Sequence, residues 1–172
     1  VCSHGVGGAG AAVCLEELIK LAARTIIRLG TCGSLQEHIS QGSIVVSTGA
    51  STEDGFTDFY VPSRFPAVSD PEIAMLLKQE GTKVQEQTFM GVTHTNAVYY
   101  PGPATGDNLK MYKESGCLSV DMEISTLFVI AAVRGIRAGA CAVVDGSPMK
   151  WEEGDFDPHG DKVRVGKSRM IT

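Results

Sequence analysis

The sequence predicts an α/β protein, with three layers (α/β/α) around a central mixed, mostly parallel β-sheet, in a single domain over residues 1–172. Three observations predict it. Short apolar runs alternate with amphipathic stretches along the chain, the signature of strands separated by helices. The 172 residues, 43% hydrophobic and 20% charged, are enough to bury one core. No internal repeat, low-complexity tract or linker divides the chain.

The elements follow in order. Val1 to Ser3 reads as the end of a strand. Ala11 to Arg24 reads as an amphipathic helix, with Leu15, Leu18, Ile19 and Ala22 on one face and Glu16, Glu17 and Lys20 on the other. Thr25 to Leu29 and Ser43 to Thr48 are short apolar strands. Pro71 to Glu80 is a helix with proline in its first turn. Gln87 to Thr93 is a strand and Asn108 to Ser115 a helix. Cys117 to Val120 is a strand that runs into an almost wholly apolar helix, Glu123 to Arg134, closed by Gly135. Ala138 to Val144 is a buried strand, and the chain stops at Thr172 inside the start of another helix. Beginning at Val1 and ending there, it reads as cut at both ends.

Composition narrows the function. A net charge of −5 provides no general field for nucleic acid, so an anionic substrate needs local donors. The five cysteines, Cys2, Cys14, Cys32, Cys117 and Cys141, form no CxxC and no even framework. They fit reduced thiols in a cytoplasmic protein, most of them in the core. No run approaches the ~18 apolar residues of a membrane helix, and no signal peptide is present. Neither a nucleic acid nor a membrane is expected as partner. The four histidines show no ligand spacing, and Glu152, Glu153, Asp155 and Asp157 read as a solvated loop; no metal is expected.

Three charges stand where a plain core prefers Val or Ile: Arg28, Glu123 and Asp145, each placed at or next to the close of an apolar strand. Buried charge is costly unless paired or used, and ligands of such sheets sit beyond the carboxyl ends of the strands. Either the three share one polar pocket, or they are unrelated charges at the surface.

Gly5-Val6-Gly7-Gly8-Ala9-Gly10 fits GxGxxG ahead of a helix, the dinucleotide fingerprint. That fingerprint also wants an acid about 20 residues on to hold the ribose hydroxyls. Here the next strand reads Ile26-Ile27-Arg28, with no acid. The oxidoreductase reading is set aside for a tight turn at a helix start, where free N–H groups favour an anion or a polar ligand.

Several stretches, in order, resemble the nucleoside phosphorylase family, whose members assemble as dimers and hexamers. Ser3-His4-Gly5-Val6-Gly7-Gly8 resembles its glycine turn, and Leu15-Glu16-Glu17-Leu18 the following helix. Ile26 to Ser34 resembles the phosphate-contacting segment, and Tyr99-Tyr100-Pro101 the aromatic pair over the sugar. Val120-Asp121-Met122-Glu123 resembles the Val-Glu-Met-Glu box, and Val143-Val144-Asp145-Gly146 the strand that ends in the catalytic acid.

The resemblance implies phosphorolysis of purine ribonucleosides, inosine and guanosine first, to base and ribose 1-phosphate. It implies no cofactor, with inorganic phosphate as co-substrate. Arg28 and Thr31 are then the phosphate contacts, Arg28 through a bidentate fork that lysine lacks; its alternative is a salt bridge under the sheet edge. Glu123 grips the ribose hydroxyls with Met122 packed against the sugar, although a first-turn Glu is also favoured by the helix dipole. Tyr99 or Tyr100 packs beside the sugar, and Trp151, the only Trp, covers the base. Cys32, Gly33 and Asp121 complete the substrate-binding set. Asp145 is the acid that protonates purine N7 as the glycosidic bond breaks; its alternative is a turn at Asp145-Gly146.

There are departures. The family's first strand, its Gly-Asp-Pro loop, a second phosphate-binding arginine and a residue lent by the neighbouring subunit would all precede Val1. Asp121 stands where Glu is commoner. Many relatives place an arginine near the catalytic acid, and here only Lys150 is near in sequence. Of the rivals, uridine phosphorylases carry Gln and Arg soon after Tyr-Pro-Gly, whereas here Tyr100-Pro101-Gly102-Pro103-Ala104-Thr105 has neither. A nucleosidase uses water and has no need of an arginine at position 28. A nucleoside-binding domain without activity is the non-enzymatic alternative.

Overall fold

A computed structural model describes residues 1–104, 106, 108–154 and 156–171, with Glu152 described by its backbone alone. Thr105, Asp155 and Thr172, named above, lie outside the described residues.

The chain alternates helix and strand. Helix α1 (Gly8–Lys20) is followed by β1 (Thr25–Ser34), β2 (Ile44–Glu53) and β3 (Ala67–Val68). Next come α2 (Pro71–Val84), β4 (Thr88–Asn96), α3 (Leu109–Glu114), β5 (Ser119–Asp121), α4 (Ile124–Arg134), β6 (Arg137–Gly146) and α5 (Asp161–Ile171). A 3₁₀ segment covers Pro148–Glu153.

The strands form the expected mixed sheet, in the order β3-β2-β4-β5-β1-β6. The long registers, β1 with β6 and β2 with β4, are parallel, as is β4 with β5. The pairs β1–β5, β2–β3 and β2–β6 are antiparallel. The last of these, Ile44–Val46 against Cys141–Val143, closes the sheet on itself. Closure gives the sheet an interior, filled by Cys32, Ile39, Val45, Ala142 and Val144.

Along the same face of β6, against Ala138 and Ala140, α4 is the central packing element. Ile124 to Ala131 are all buried, and the helix lies against α1 through Ala12 and Leu15. Burial of a residue such as Phe128, wholly inaccessible, stabilises by about 1.5–3 kcal/mol. A second apolar cluster, with Ala74 of α2 and Val163 of α5 against Val46, Cys141 and Val143, covers the other side.

Several boundaries differ from the sequence reading. Val1 to Ser3 form no strand, and α1 starts at Gly8 rather than Ala11. The same helix ends at Lys20 rather than Arg24, because Ala22 takes a left-handed conformation (φ 70°). The Ala23 N–H then bonds the Leu18 carbonyl (3.0 Å) and the Ala22 N–H that of Ile19 (2.9 Å). This is the closing pattern usually built on glycine; with alanine in that place the stop is invisible in the sequence.

Helix α2 starts where expected. The Asp70 carboxylate accepts the Ile73 N–H (3.0 Å), with Pro71 in the first turn. Arg137 reaches the same carboxylate through Nε (2.8 Å). That arginine first, and the cap bond second, hold Asp70 down from 3.8 to about 2. A depressed folded pKa contributes stability above the unfolded pKa that is lost as pH falls through the folded one. Acid titration therefore removes this contribution between about pH 4 and pH 2. In Asp70→Asn, thermal stability is expected to change less across that window; an identical pH profile would assign the cap no titrating role.

Candidate active site

Of the eleven residues singled out from the sequence, all but Tyr100 line one cavity of about 420 Å³. Its floor is the end of the sheet where β1, β5 and β6 meet the start of α4.

Arg28 comes from the middle of β1, opposite Ala140, and not from a strand end, since β1 runs on to Ser34. Its guanidinium bonds the Glu123 carboxylate through Nη2, while Nη1 stands 3.7 Å from Asp121. The side chain is 10% exposed, and both Nε and Nη1 are buried without a hydrogen-bond partner. Buried donors normally find acceptors. Two such donors on one planar cation, facing a cavity, suit an anion's oxygens.

The guanidinium lies over Gly30. A Cβ there would stand 2.7 Å from its Cζ. Because Glu123 holds the group in place, Gly30→Ala is expected to destabilise by about 1–3 kcal/mol through overpacking. Thermal unfolding checks this; an unchanged midpoint would mean that the guanidinium is free to move.

Glu123 stands at the start of α4, buried to 5% exposure. One oxygen takes Arg28, and the other accepts the Gly7 N–H at 2.7 Å. Gly7 has φ 86°, a conformation that glycine adopts without steric cost. The glycine turn thus presents an N–H to an anion, as a helix start favours, and the anion is a carboxylate of the same chain.

Asp121 is occupied differently. One of its oxygens accepts the N–H groups of Glu123 (3.0 Å) and Ile124 (2.9 Å), and the other accepts the Thr95 hydroxyl (2.7 Å). It fastens the start of α4 and so fixes the backbone that carries Glu123. Burial raises its pKa, against the lowering pull of Arg28.

Asp145 owes its position to a bulge. Along the β1–β6 register Cys32 faces Val144 and Gly33 faces Gly146, so Asp145 is an extra residue on β6. Bulges of this kind re-aim a side chain beside a site. The Gln41 side chain (3.0 Å) and the Asp157 N–H (3.2 Å) bond the Asp145 carbonyl and secure the bend. Burial raises the carboxyl's pKa, opposed by the Thr31 hydroxyl that bonds it and by the charge of Lys167. Lys167, not Lys150, is the cation that acts on Asp145. Lys150 lines a separate cavity with Glu37 and Lys113, on the other face of the 3₁₀ segment. A lysine distant in sequence, on a helix of its own, carried no signal.

Cys32 and Gly33 complete the β1 wall. Burial holds the Cys32 thiol far above its ordinary pKa, so it stays neutral. Gly33 makes room for Pro148, which a Cβ would approach to 2.7 Å. Met122 borders the cavity between the two carboxylates.

The opposite wall is aromatic. Tyr99 packs on Trp151, with ring centroids 5.0 Å apart, and Trp151 packs on Phe156 at 5.5 Å. Of the tyrosine pair, Tyr99 lines the cavity and Tyr100 is 80% exposed. The Trp151 Nε1–H is buried and unpartnered. Asn96 and Leu109 also line the cavity and were not singled out. Asn96 offered the faint signal of a polar residue closing an apolar strand; Leu109 offered none.

Residues 1–171 match the family model described as the phosphorylase superfamily. The chain belongs to that superfamily. It is 40% identical over 156 residues to the purine nucleoside phosphorylases of Plasmodium vivax and Plasmodium falciparum, covering 90% of this chain and 64% of theirs. It is 33% identical to the uridine phosphorylase of Escherichia coli, covering 84% of this chain and 62% of that one. The chain thus spans somewhat under two thirds of the length of these relatives. The crystal structure of purine nucleoside phosphorylase from Toxoplasma gondii in complex with immucillin-H superposes with a TM-score of 0.92 at 35% identity, covering 98% of this chain and 68% of that one.

Proposed function

We propose that this superfamily member cleaves purine ribonucleosides with inorganic phosphate, giving the free base and ribose 1-phosphate. One observation carries the reading. A guanidinium with two unpartnered buried donors and an acid of raised pKa face the same cavity, with a buried carboxylate between them. The relatives named as purine nucleoside phosphorylases support it.

Phosphate takes the donors of Arg28, and Glu123 accepts the ribose hydroxyls. A phosphate oxygen attacks C1′ as the bond to N9 breaks, and charge gathers on the departing purine. Asp145 gives its proton to N7, so the base leaves neutral. Trp151 and Tyr99 offer flat apolar surface to the base. Uridine phosphorolysis is the second reading, supported by the relatives of that name. The purine reading is favoured because the cavity lining includes no Gln, and no Arg besides Arg28, among the described residues.

In this proposal phosphate is the co-substrate and no cofactor takes part. The protein works as a homo-oligomer, dimer or hexamer, in the cytoplasm; no helix among the described residues is long and apolar enough to cross a membrane. Hypoxanthine release from inosine, measured with and without phosphate, tests the proposal. Cleavage that requires phosphate is expected. Cleavage without it would make the enzyme a hydrolase, and cleavage of uridine alone would move it to the pyrimidine branch.

A further inference from the structure

We propose that Glu53 is a positioning residue for the nucleoside: from outside the cavity it ties together the two flanks of the wall that carries Tyr99. The role rests on the reading above, that the cavity takes a purine nucleoside, and adds to it a residue that does not line the cavity.

Glu53 is the last residue of β2 and pairs with Asn96 at the end of β4. Its backbone carbonyl accepts the Ala97 N–H (3.1 Å), where the chain leaves β4. Its carboxylate reaches α3. One oxygen accepts the Tyr112 hydroxyl (2.6 Å), and the other accepts the side-chain N–H of Asn108. Asn108 precedes the first turn of α3, and its own carbonyl accepts the Met111 N–H (3.0 Å). Val98, Tyr99 and Pro101 line the cavity just after the first of these ties, and Leu109 lines it beside the second. Tyr99 in turn packs on Trp151.

Helix α3 depends on such a tie. It has six residues, none of them buried, and a helix that short has no stability of its own. The Tyr112 ring stacks on His94, with centroids 3.6 Å apart. His94 is wholly buried and bonded to the Ser51 hydroxyl (2.7 Å), so the surface under Tyr112 is fixed. Stacked rings can still slide over each other; two bonds to one carboxylate set the place. Burial first, and the bond to Glu53 second, push the Tyr112 phenol up to about 12, so the hydroxyl keeps its proton and donates. Contacts of an exposed carboxylate add little to stability. A wall displaced by about 1 Å costs far more in substrate positioning.

The experiment compares the parent with Glu53→Ala and Tyr112→Phe, by steady-state kinetics on inosine and phosphate and by the emission of Trp151, the only tryptophan. Glu53→Ala is expected to raise the KM for inosine about tenfold, as for loss of a bond to a charged group. Its kcat should change less than about threefold, the pattern of lost uniform binding. The KM for phosphate should stay within about twofold, since Arg28 and Thr31 stand on β1 and not on this wall. Without substrate, Trp151 emission should shift to longer wavelength, as the loosened Tyr99 ring lets water reach the indole. Tyr112→Phe removes one bond and keeps the stack on His94, so both readouts should move the same way and less; it carries the test if Glu53→Ala does not fold. The double variant should add little to Glu53→Ala.

A lower thermal midpoint with the parent's inosine KM and emission would make Glu53 a structural residue alone and overturn the proposal. Equal rises in both KM values would overturn it too. If the parent does not cleave inosine, the reaction proposed above fails by itself, and inosine titration followed through Trp151 then decides on Glu53. The positioning role stands if Glu53→Ala weakens binding about tenfold and shifts the emission, and falls if both match the parent. A parent that does not bind inosine overturns both readings.

Discussion

Asp145→Ala is expected to lower phosphorolysis of inosine by about 10²–10⁴-fold, the range of a positioned general acid, while phosphate binding persists. The loss follows from the leaving group. A purine that departs with its charge uncompensated is a poor leaving group, and of the two cavity carboxyls whose pKa burial raises, Asp121 is taken up by backbone N–H groups, which leaves Asp145. Asp145→Asn keeps the shape of the bulge but has no proton to give, so it should lose nearly as much. A raised pKa keeps more of the carboxyl protonated near neutrality. The rate with the parent protein should therefore fall as pH rises through that folded pKa, and the Asn variant should lack this limb. Substrates whose base leaves without protonation should be far less sensitive to either change. Comparable inosine rates in parent and variant, at saturating phosphate, would remove Asp145 from the chemistry.

How much of this was legible beforehand depends on whether the cause is local. The apolar run from Ala138 to Val144 and the helix ending at Gly135 are set by neighbouring residues, and both lie where the pattern put them. The charges at Arg28, Glu123 and Asp145 stood out because the surrounding residues are apolar, and they do share one cavity. What stayed hidden depends on distant partners. Closure of the sheet rests on Ile44–Val46 meeting Cys141–Val143, almost a hundred residues away in sequence. The bulge that turns Asp145 is a register shift against β1, and a register is a property of two strands together. Asp121 looked like a ligand contact, yet its oxygens hold backbone N–H groups and the Thr95 hydroxyl; spacing along the chain does not separate those uses. Arg28 shows the same limit. The sequence left open phosphate contact or salt bridge, and the structure displays the salt bridge together with two donors still to be used.

That double engagement yields the second large effect. Arg28→Ala is expected to cost about 3–5 kcal/mol of stability, because it leaves buried carboxylates without their cation. For a chain of this size that is a fall of roughly 6–20 °C in the thermal midpoint. Asp121 and Glu123 are the carboxylates left behind, with side chains 0% and 6% accessible. Removing Arg28 takes away the charge that opposes the upward shift of Asp121, which rises further. The double variant Arg28→Ala/Glu123→Ala should recover part of the lost stability, since it deletes a charge together with its partner, and the shortfall from additivity measures their coupling. Arg28→Lys separates the two roles. A lysine supplies the charge but not the planar fork, so it should restore most of the stability while leaving the KM for phosphate raised about tenfold to a hundredfold, as expected for a lost charge-assisted bond. If Arg28→Lys restores the stability and leaves the KM for phosphate unchanged, Arg28 is a structural ion-pair residue alone, and the anion must be held by groups elsewhere in the cavity.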